Sequence, residues 1–540
     1  MERTSIGANW RMGWREGLPE LLAREWDLLI IGGGITGAGI LLEASRRGLK
    51  ALLVEQRDFA WGTSSRSSKL VHGGLRYLKE ARFGLTRESV HERENLMREA
   101  PGLVAPQSFA FGDYKGRKPG RNVFLIGLAI YDFMAGMRER HYFGREEFLM
   151  MAPNIGREGL HGGMRYTDAK TDDARMVMRV LQEAQSHGGV AINYLAAKSL
   201  LREGGGDTGK VCGALLHDIG DDATHQVRAR LVINATGAWA DGLRGQTGAV
   251  RKLRPLRGSH LVLPAWRLPL AQAISLMHPR DGRPVFAYPW EGVTLVGTTD
   301  VDHSEDMKLE AAITRAELEY LLEALNAQFP QMGLNEEDVL ATYAGVRPVI
   351  DTGQSDPSKE GREHAVWVDD GLLTVTGGKL TTFRVIALDA LKHAMPLLPG
   401  WRDNLKPLPI FGSGTPVALA SARQRLPSAH AERLRGRFGA QAQAVVDAAR
   451  AGELDAIPGT ETLWAELRWA ARAEGVLRLE DLMLRRTRLG LLLRNGGQEH
   501  IDRIRAICQD ELAWDDTRWD AEHAAYRALW NANYSLPRAA

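Results

Sequence analysis

A glycine-rich segment near the start of the chain limits most strongly what this chain can fold into. The apolar residues 28–31 predict a buried strand, and Gly32, Gly34 and Gly37 follow it with the GxGxxG spacing of a dinucleotide-binding turn. The first glycine permits a tight turn, the second lets a pyrophosphate approach the backbone, and the third lets a helix pack on the strand. The helix N-terminus then faces the anion.

An acidic residue after the next predicted strand completes this unit. The strand ALLV precedes Glu55, which stands at about the 20-residue distance where a carboxylate binds ribose hydroxyls. An isolated GxGxxG is often only a glycine-rich turn, but here strand, turn, helix, strand and acid agree. FAD and NAD share this unit, so the choice between them remains open at this point.

A hydroxyl-rich segment, residues 63–77, begins shortly after Glu55. It reads TSSRSSKLVHGGLRY and offers hydroxyl and backbone donors for a diphosphate or a flavin edge. Nicotinamide enzymes have no general need for such a segment, so it favours FAD, although serine-rich loops by themselves are usually turns. The candidate cofactor contacts in it are Thr63, Ser64, Ser65, Ser68 and Lys69.

Bulk properties are those of a globular enzyme. The 540 residues exceed one ordinary core and suggest two or three units. A net charge of +2 gives no overall attraction to nucleic acid. Cys212 and Cys508 form no CxxC, so no disulfide framework, metal site or iron-sulfur site is expected, and a cytoplasmic location is favoured. The apolar run 123–131 is about half the length of a spanning helix, and no transmembrane segment is predicted.

Changes of pattern predict an α/β fold in several parts. Strand-like and helix-like runs alternate in three separated stretches, short β-like runs lie between them, and helical spacing dominates near the end. The predicted units are an N-terminal arm (1–23), a discontinuous dinucleotide domain (24–100, 167–256 and 364–400), an antiparallel-sheet substrate domain (101–166 and 257–363) and a C-terminal helical domain (401–540).

Eight separated motifs carry a resemblance to a known family. They read IGGGITGAGI, TSSRSSKLVHGGLRYL, TDAKTDDARMV, NATGAW, RGSHLV, VGTTD, YAGVRP and GGKLTTFR. The chain resembles the FAD-dependent, quinone-reducing glycerol-3-phosphate dehydrogenases of aerobic type over about residues 27–384, and LRRTRLGL resembles their C-terminal domain. The resemblance implies a glutathione-reductase-type FAD domain, with FAD held noncovalently at a motif that contains His72.

Two further motifs are placed at the cofactor. Gly237 of NATGAW follows a predicted strand and would let the chain pass close to the dinucleotide, or it is an ordinary turn glycine. In GGKLTTFR, two glycines precede a helical pattern, so its start can direct backbone amides and a lysine at the flavin N1/C2 edge. The residues of this second motif are Gly378, Lys379, Leu380 and Thr381.

A phosphate-bearing substrate requires guanidinium groups, whose planar forks match phosphate oxygens. The resemblance places Arg76, Arg347 and Arg362 at or near the substrate, with Tyr77 beside the first. His260 of RGSHLV is the candidate base for the C2 hydroxyl, because imidazole titrates near neutral pH. Structural histidines are also common, and the catalytic proton chemistry is open to Arg347 and Lys379 as well.

The resemblance implies oxidation of sn-glycerol 3-phosphate to dihydroxyacetone phosphate, with electrons passed to a membrane quinone. The alternatives are an oxygen-reducing glycerol-3-phosphate oxidase and a noncatalytic or tRNA-modifying flavoprotein. Docking at the inner face of the cell membrane rests mainly on the resemblance, with weak support from a basic stretch before the apolar run 123–131. A homodimer is left open, because nothing in the sequence determines the oligomeric state.

Overall fold

The structure is a computed structural model that describes residues 10–75, 82–117, 120–136, 139–206, 209–355, 360–412 and 426–537. The strands in chain order are β1 (Trp26–Ile31), β2 (Ala51–Val54), β3 (Leu70–Val71), β4 (Val104–Tyr114), β5 (His141–Gly144), β6 (Leu160–Thr171), β7 (Val190–Ile192), β8 (Leu195–Arg202), β9 (Val211–Asp218), β10 (Thr224–Asn234), β11 (Leu253–Pro264), β12 (Ala273–Met277), β13 (Pro284–Trp290), β14 (Val293–Gly297), β15 (Val301–Asp302), β16 (Ala341–Ile350), β17 (His364–Asp369) and β18 (Leu372–Gly377).

Helices connect these strands and make up most of the C-terminal region. In chain order they are α1 (Leu18–Leu22), α2 (Ile35–Ser45), α3 (Phe83–Glu99), α4 (Arg121–Ala135), α5 (Arg145–Met151), α6 (Asp173–Ser186), α7 (Ala240–Arg244), α8 (Arg315–Gln328), α9 (Phe383–Ala394), α10 (Ser428–Phe438), α11 (Ala442–Ala448), α12 (Trp464–Ala473), α13 (Leu489–Leu492), α14 (Ile501–Cys508) and α15 (Asp516–Asn533).

The first sheet contains eight strands among the described residues, and its centre is parallel. The order β18-β10-β1-β2-β7 is parallel throughout, while β17, β8 and β9 add antiparallel pairs. Both faces of β1 are buried, which explains its continuous apolar run. Alternate residues point to opposite faces: Leu28 and Ile30 pack against α2, α6 and α9, whereas Leu29 and Ile31 pack toward α1 and β8.

The second sheet contains ten strands among the described residues and is antiparallel except between β4 and β12. It joins β4, β5 and β6 to the strands from β11 to β16, which the chain reaches only after completing most of the first sheet. β3 also pairs here, with β6, so the chain leaves the dinucleotide segment for this sheet at residue 70. One face of the sheet packs on α5 and α8, and the other packs on the C-terminal region.

The C-terminal region is helical and shares its core with the second sheet. Trp464, Leu489 and Trp530 pack in one apolar cluster with Trp290 and Tyr343 of the sheet. Together with the two sheets, this arrangement confirms the predicted α/β fold with an antiparallel sheet and a C-terminal helical part. The exact boundaries of the predicted units stay a prediction.

Two further expectations concern the N-terminal arm and a membrane span. From Trp10 onward the arm is packed on the molecule: the indole donates a hydrogen bond to the Ala191 carbonyl, and Leu18, Leu21 and Leu22 are buried. Within the described residues, no helix has the length and apolarity needed to cross a bilayer.

Candidate functional site

A tight turn between β1 and α2 forms the floor of the candidate site. Gly32 has φ +118°, and a Cβ atom there would lie 2.5 Å from the carbonyl oxygen of Ala235. A Cβ at Gly37 would lie 1.9 Å from the carbonyl oxygen of Gly32, so only glycine lets α2 start this close to the strand. The N-terminus of α2 is therefore presented at the carboxyl end of a parallel sheet, where dinucleotides bind.

Side chains from the next two segments hold this turn in place. The backbone N–H of Gly33 donates to Glu55 Oε2 at 2.7 Å, and the N–H of Ile35 donates to Ser64 Oγ at 3.0 Å. Burial raises the pKa of Glu55, although the N–H groups of Arg57 and Gly33 act in the opposite direction. Glu55 thus supports the glycine turn directly, which is a role that the sequence did not reveal.

A groove of about 370 Å³ runs along this turn and across the carboxyl ends of the parallel strands. Its lining comes from β1, α2, the segment after β2, the turn after β10 and the turn after β18. Among the predicted cofactor contacts, those that line the groove are Gly32, Gly34, Glu55, Thr63, Ser64, Gly237, Gly378, Lys379 and Leu380.

The other predicted cofactor contacts lie behind the groove lining. Gly37 packs on the turn, and the hydroxyl of Thr381 bonds to the backbone of His72. Ser65 is buried, and Lys69 is fully buried, with Nζ donating to Asp173 Oδ1 and to the Ser65 carbonyl, both at 2.9 Å. The direct cofactor contacts expected from these residues and from Ser68 stay predictions.

Lys379 lines the groove with an amine whose pKa is lowered. It stands between Gly378 and the short helix Leu380–Thr382, and its Nζ donates to Ser89 Oγ at 2.9 Å. Burial lowers the pKa of Lys379 to about 7, and the nearby Arg362 acts in the same direction. Its charge therefore changes close to neutral pH.

Arginines converge on one buried carboxylate beside the groove. Arg347 donates to Asp300 Oδ1 at 2.8 Å, and Arg362 donates to Asp300 Oδ2 at 2.7 Å. Arg283 lies 3.4 Å from the same Oδ2 atom. The cluster carries two more positive charges than negative ones, and burial together with Arg362 lowers the pKa of Arg347 to about 10. The arrangement suits a dianion with several oxygens, such as a phosphate ester.

His260 lies in β11, beside this cluster, and is almost fully buried. Its Nε2 atom is 2.9 Å from Ser68 Oγ, and its ring stacks on Tyr343 with centroids 4.5 Å apart. Burial, Arg347 and Lys69 lower the pKa of His260 well below 6.5, so the ring is neutral at physiological pH. Nδ1 is buried without a hydrogen-bond partner in the described part of the chain.

Sequence reasoning found Arg347, Arg362, Lys379 and His260, and the structure brings these four residues into one neighbourhood. The sequence analysis did not identify Asp300, the carboxylate that binds Arg347 and Arg362. Asp300 is the last residue of the VGTTD motif. The one sequence feature that pointed to Asp300 was its place in a motif shared with the resembled family. Arg283, in contrast, has no distinctive sequence context.

A second imidazole, that of the partly buried His72, lies near Lys379, and the sequence analysis treats this residue only as a possible point of flavin attachment. Burial and Lys379 lower its pKa to about 4, and Asp168 and Arg362 are also within electrostatic range. The remaining two predicted substrate residues, Arg76 and Tyr77, lie outside the described residues.

Comparison with known proteins assigns the family. The family described as FAD dependent oxidoreductase matches residues 27–384, and the C-terminal domain of alpha-glycerophosphate oxidase matches residues 406–519. This chain belongs to the FAD-dependent oxidoreductase family. The predicted cofactor, FAD, is thereby confirmed for this oxidoreductase.

Relatives and solved structures agree with this membership. The oxidoreductase is 40% identical over 371 residues to an aerobic glycerol-3-phosphate dehydrogenase from Staphylococcus epidermidis, an alignment that covers 68% of this chain but 66% of the relative. It is 35% identical over 488 residues to the protein of the same name from Staphylococcus aureus, covering 86% of each. The FAD complex of glycerol-3-phosphate dehydrogenase from Bacillus halodurans superimposes with a TM-score of 0.76 and 27% identity, over 97% of this chain and 98% of that one.

The residues of the groove fit FAD. The glycine turn and the α2 N-terminus suit a pyrophosphate, and Glu55 stands at the ribose position. At the other end, the buried amine of Lys379 and the backbone of Gly378 and Leu380 offer positive charge and donors for a flavin edge.

Proposed function

We propose that this oxidoreductase oxidises sn-glycerol 3-phosphate to dihydroxyacetone phosphate and transfers the hydride to FAD. The observation that carries this proposal is the convergence of Arg347, Arg362 and Arg283 on the single carboxylate of Asp300 beside the groove. A phosphate monoester carries a charge of about −1.5 to −2 at neutral pH, which balances the excess of the arginine cluster. The names of the relatives agree with this substrate.

The arginine cluster binds and orients the substrate in this proposal. Asp300 holds two of the guanidinium groups in fixed directions, so little entropy is lost when phosphate oxygens replace water around them. Glycerol lacks the phosphate and leaves those positive charges without a partner. We therefore expect glycerol to be a poor substrate.

Oxidation at C2 releases a hydride from carbon and a proton from the hydroxyl. FAD bound in the groove would supply the hydride acceptor, and the amine of Lys379 would hold positive charge beside the flavin edge. His260 is the proposed proton acceptor, because its ring is neutral and held rigidly by Ser68 and Tyr343. With Nε2 bonded to Ser68, the proton reaches the ring either at Nδ1 or through the Ser68 hydroxyl.

Anaerobic titration of the FAD-loaded protein tests this function. Glycerol 3-phosphate should bleach the flavin absorbance with formation of one dihydroxyacetone phosphate per flavin, and glycerol at the same concentration should not. Equal bleaching by glycerol, or none by either compound, would contradict the proposal. Reoxidation by a soluble quinone, compared with peroxide formation in air, then distinguishes a quinone-reducing dehydrogenase from an oxidase.

We also propose that α4 docks on the membrane that contains the quinone. Val123, Ile126 and Phe133 lie on one face of α4 and are 64%, 62% and 86% exposed, an unusual set of apolar side chains on one helix. The exposed Arg121 at the start of α4 provides a cationic group for anionic headgroups.

Vesicle flotation tests the docking helix. Vesicles that contain anionic lipid should carry the wild-type protein, and the double variant Ile126→Asp, Phe133→Asp should remain unbound while keeping its flavin and its activity with a soluble quinone. The matched control is Trp266→Asp, a substitution of another exposed apolar residue outside α4. Flotation of the double variant at the wild-type level would remove α4 from the proposal.

A further inference from the structure

Buried arginines of the C-terminal region form ion pairs with carboxylates of the cofactor-binding region. Arg485 and Arg486 bind the buried carboxylate of Asp58, close to the segment that contains Glu55. Arg488 binds Asp172 and Asp173 at the start of α6. All three arginines are buried, and each reaches a carboxylate more than 300 residues away in the chain.

Arg488 differs from the other two arginines because it also binds the backbone of the segment from Ser65 to Lys69. Its Nη2 donates both to Asp173 Oδ1 and, at 3.1 Å, to the backbone carbonyl of Ser65. Lys69 Nζ donates to the same two acceptors from the other side. The Ser65 carbonyl is therefore held by the two cations that also bind Asp173, and Lys69 at the other end of the segment is itself one of them.

The middle of this segment reaches the candidate catalytic residue. Asp173 Oδ2 accepts hydrogen bonds from the N–H and the hydroxyl of Ser67, at 3.0 and 2.8 Å. The next residue, Ser68, places its Oγ 2.9 Å from His260 Nε2, and the Tyr343 hydroxyl donates to the Ser67 carbonyl at 3.1 Å. A continuous series of contacts therefore runs from Arg488 to His260.

We propose that Arg488 is a positioning residue of the active site, which orients the segment from Ser65 to Lys69 and thereby the contact between Ser68 and His260. The described residues that line the groove all fall between Ile31 and Leu380, so the C-terminal region acts through this segment and not by touching the cofactor. The kinetic part of this proposal rests on the proposed function.

Arginine is required at position 488 because four acceptors must be satisfied at once, one of which is the Leu484 carbonyl, 2.7 Å from Nη1. Its Nε donates to Asp172 at 3.1 Å, while Nη2 serves Asp173 and the Ser65 carbonyl. A lysine carries the same charge on a single nitrogen and does not reproduce this fork. Arg488→Lys thus keeps the charge of the interface but releases the segment.

Arg175→Lys is a matched control. Arg175 is also fully buried at this interface and forms two hydrogen bonds to Glu474, but its described hydrogen bonds go to Glu474 and to the Arg486 carbonyl and not to the segment from Ser65 to Lys69. Both variants should lose some thermal stability. Only Arg488→Lys should loosen the segment from Ser65 to Lys69 and speed its hydrogen exchange.

The test uses the FAD-loaded full chain with two measurements. Hydrogen-deuterium exchange of the peptide that contains residues 65–69 should be faster in Arg488→Lys than in wild type and unchanged in Arg175→Lys. The rate of flavin reduction at saturating glycerol 3-phosphate should fall about 10- to 100-fold in Arg488→Lys, the scale of a misplaced catalytic group, with KM within about twofold. Equal effects in both variants, or a change in melting temperature or KM alone, would overturn the proposal.

A milder variant guards against a failure of Arg488→Lys to fold. Ser67→Ala removes the hydroxyl contact to Asp173 without changing the buried ion pairs. At an FAD content equal to that of wild type, it should show faster exchange of residues 65–69 and slower flavin reduction, with smaller changes than in Arg488→Lys. Unchanged exchange and rate in Ser67→Ala would count against the proposal. If wild-type flavin is not reduced by glycerol 3-phosphate, the proposed function fails, whereas the exchange measurement still tests the positioning role.

Discussion

Ser68 and His260, 192 residues apart in the chain, are joined by a 2.9 Å contact between Oγ and Nε2. Because burial, Arg347 and Lys69 hold the pKa of His260 well below 6.5, this contact involves a neutral imidazole. A neutral ring has a free lone pair that can accept a proton, and its lowered pKa makes it a weaker base than an exposed imidazole. In the proposed function, the two residues are the proton acceptor beside the arginine cluster.

Replacing the imidazole should affect chemistry more than binding. In His260→Asn, flavin reduction by glycerol 3-phosphate should slow by about 10²- to 10⁴-fold, the usual scale for a general base, while the substrate Kd changes far less. Stopped-flow absorbance at several substrate concentrations measures both. Ser68→Ala distinguishes the proton paths, since it should be slow only if the hydroxyl relays the proton. Wild-type rates in His260→Asn together with slow reduction in His72→Asn would transfer the role to His72.

Removing one guanidinium from the cluster should weaken substrate binding. Arg347→Ala leaves Asp300 with fewer cations and should raise KM for glycerol 3-phosphate by about 100-fold, as expected for about 3 kcal/mol from a buried charge contact. Steady-state kinetics with a soluble acceptor measure this change. Arg254→Ala is the control, because Arg254 pairs with the exposed Asp302 on the same sheet. A similar KM in both variants would argue against a phosphate site at Asp300.

The acidity of Lys379 predicts a pH dependence. With a pKa of about 7 in the protein without ligand, its amine loses its positive charge as the pH rises through neutrality. If that charge assists hydride transfer, kcat/KM should fall above about pH 7 in wild type and stay level in Lys379→Arg. Lys379→Met should be slow at all pH values and should have a lower flavin reduction potential. A wild-type rate that instead rises through pH 7 would assign Lys379 as a base.

Two substitutions in the groove should reduce FAD retention. Gly34→Val introduces a branched side chain where a Cβ would already lie 3.1 Å from Ser64 Oγ, and Glu55→Ala removes the acceptor of the Gly33 N–H. Flavin absorbance after dialysis measures occupancy. Gly84→Ala, at a helical glycine with open space around it, is the control. Full occupancy in either test variant would exclude its residue from cofactor binding.

The buried carboxylate of Asp58 should make a large contribution to stability. Burial alone would raise its pKa, but Arg486 and Arg485 outweigh burial and lower it below 3.8. The stabilisation from its ionised form is therefore present above about pH 4 and is lost as the pH falls through the lowered value. At pH 7, Asp58→Asn should lower the free energy of unfolding by about 3–5 kcal/mol. Urea unfolding measures this change. The control is Asp302→Asn, since the exposed Asp302 pairs with Arg254, and it should lower the free energy of unfolding by less than about 1 kcal/mol.

The parts of the site that are continuous in sequence were predictable. Gly32, Gly34 and Glu55 belong to one strand, turn, helix and strand, so their spacing already encodes the groove. The buried ion pair of Lys69 was not predictable, because a lysine in a serine-rich loop resembles a phosphate donor. Asp173, 104 residues later in sequence, pulls it into a buried ion pair, and such long-range pairing leaves no local signal.

The helical fold of the C-terminal region was likewise indicated by periodic apolar residues. Its relationship to the catalytic centre was not, because Arg485, Arg486 and Arg488 have the composition of a solvated basic stretch. Burial of these charges depends on carboxylates that come from the distant first part of the chain. Periodicity predicts the helices but not the surface on which they pack.

The buried ion pairs of Arg486 with Asp58 and of Arg488 with Asp173 also set an order of events during synthesis. A ribosome makes even the last described groove-lining residue, Leu380, about a hundred residues before it makes these arginines. Until they emerge, the acidic groups cannot be sealed from water without a large electrostatic cost. We therefore expect the nascent cofactor region to stay open at this edge and FAD loading to be completed only after these arginines have been translated.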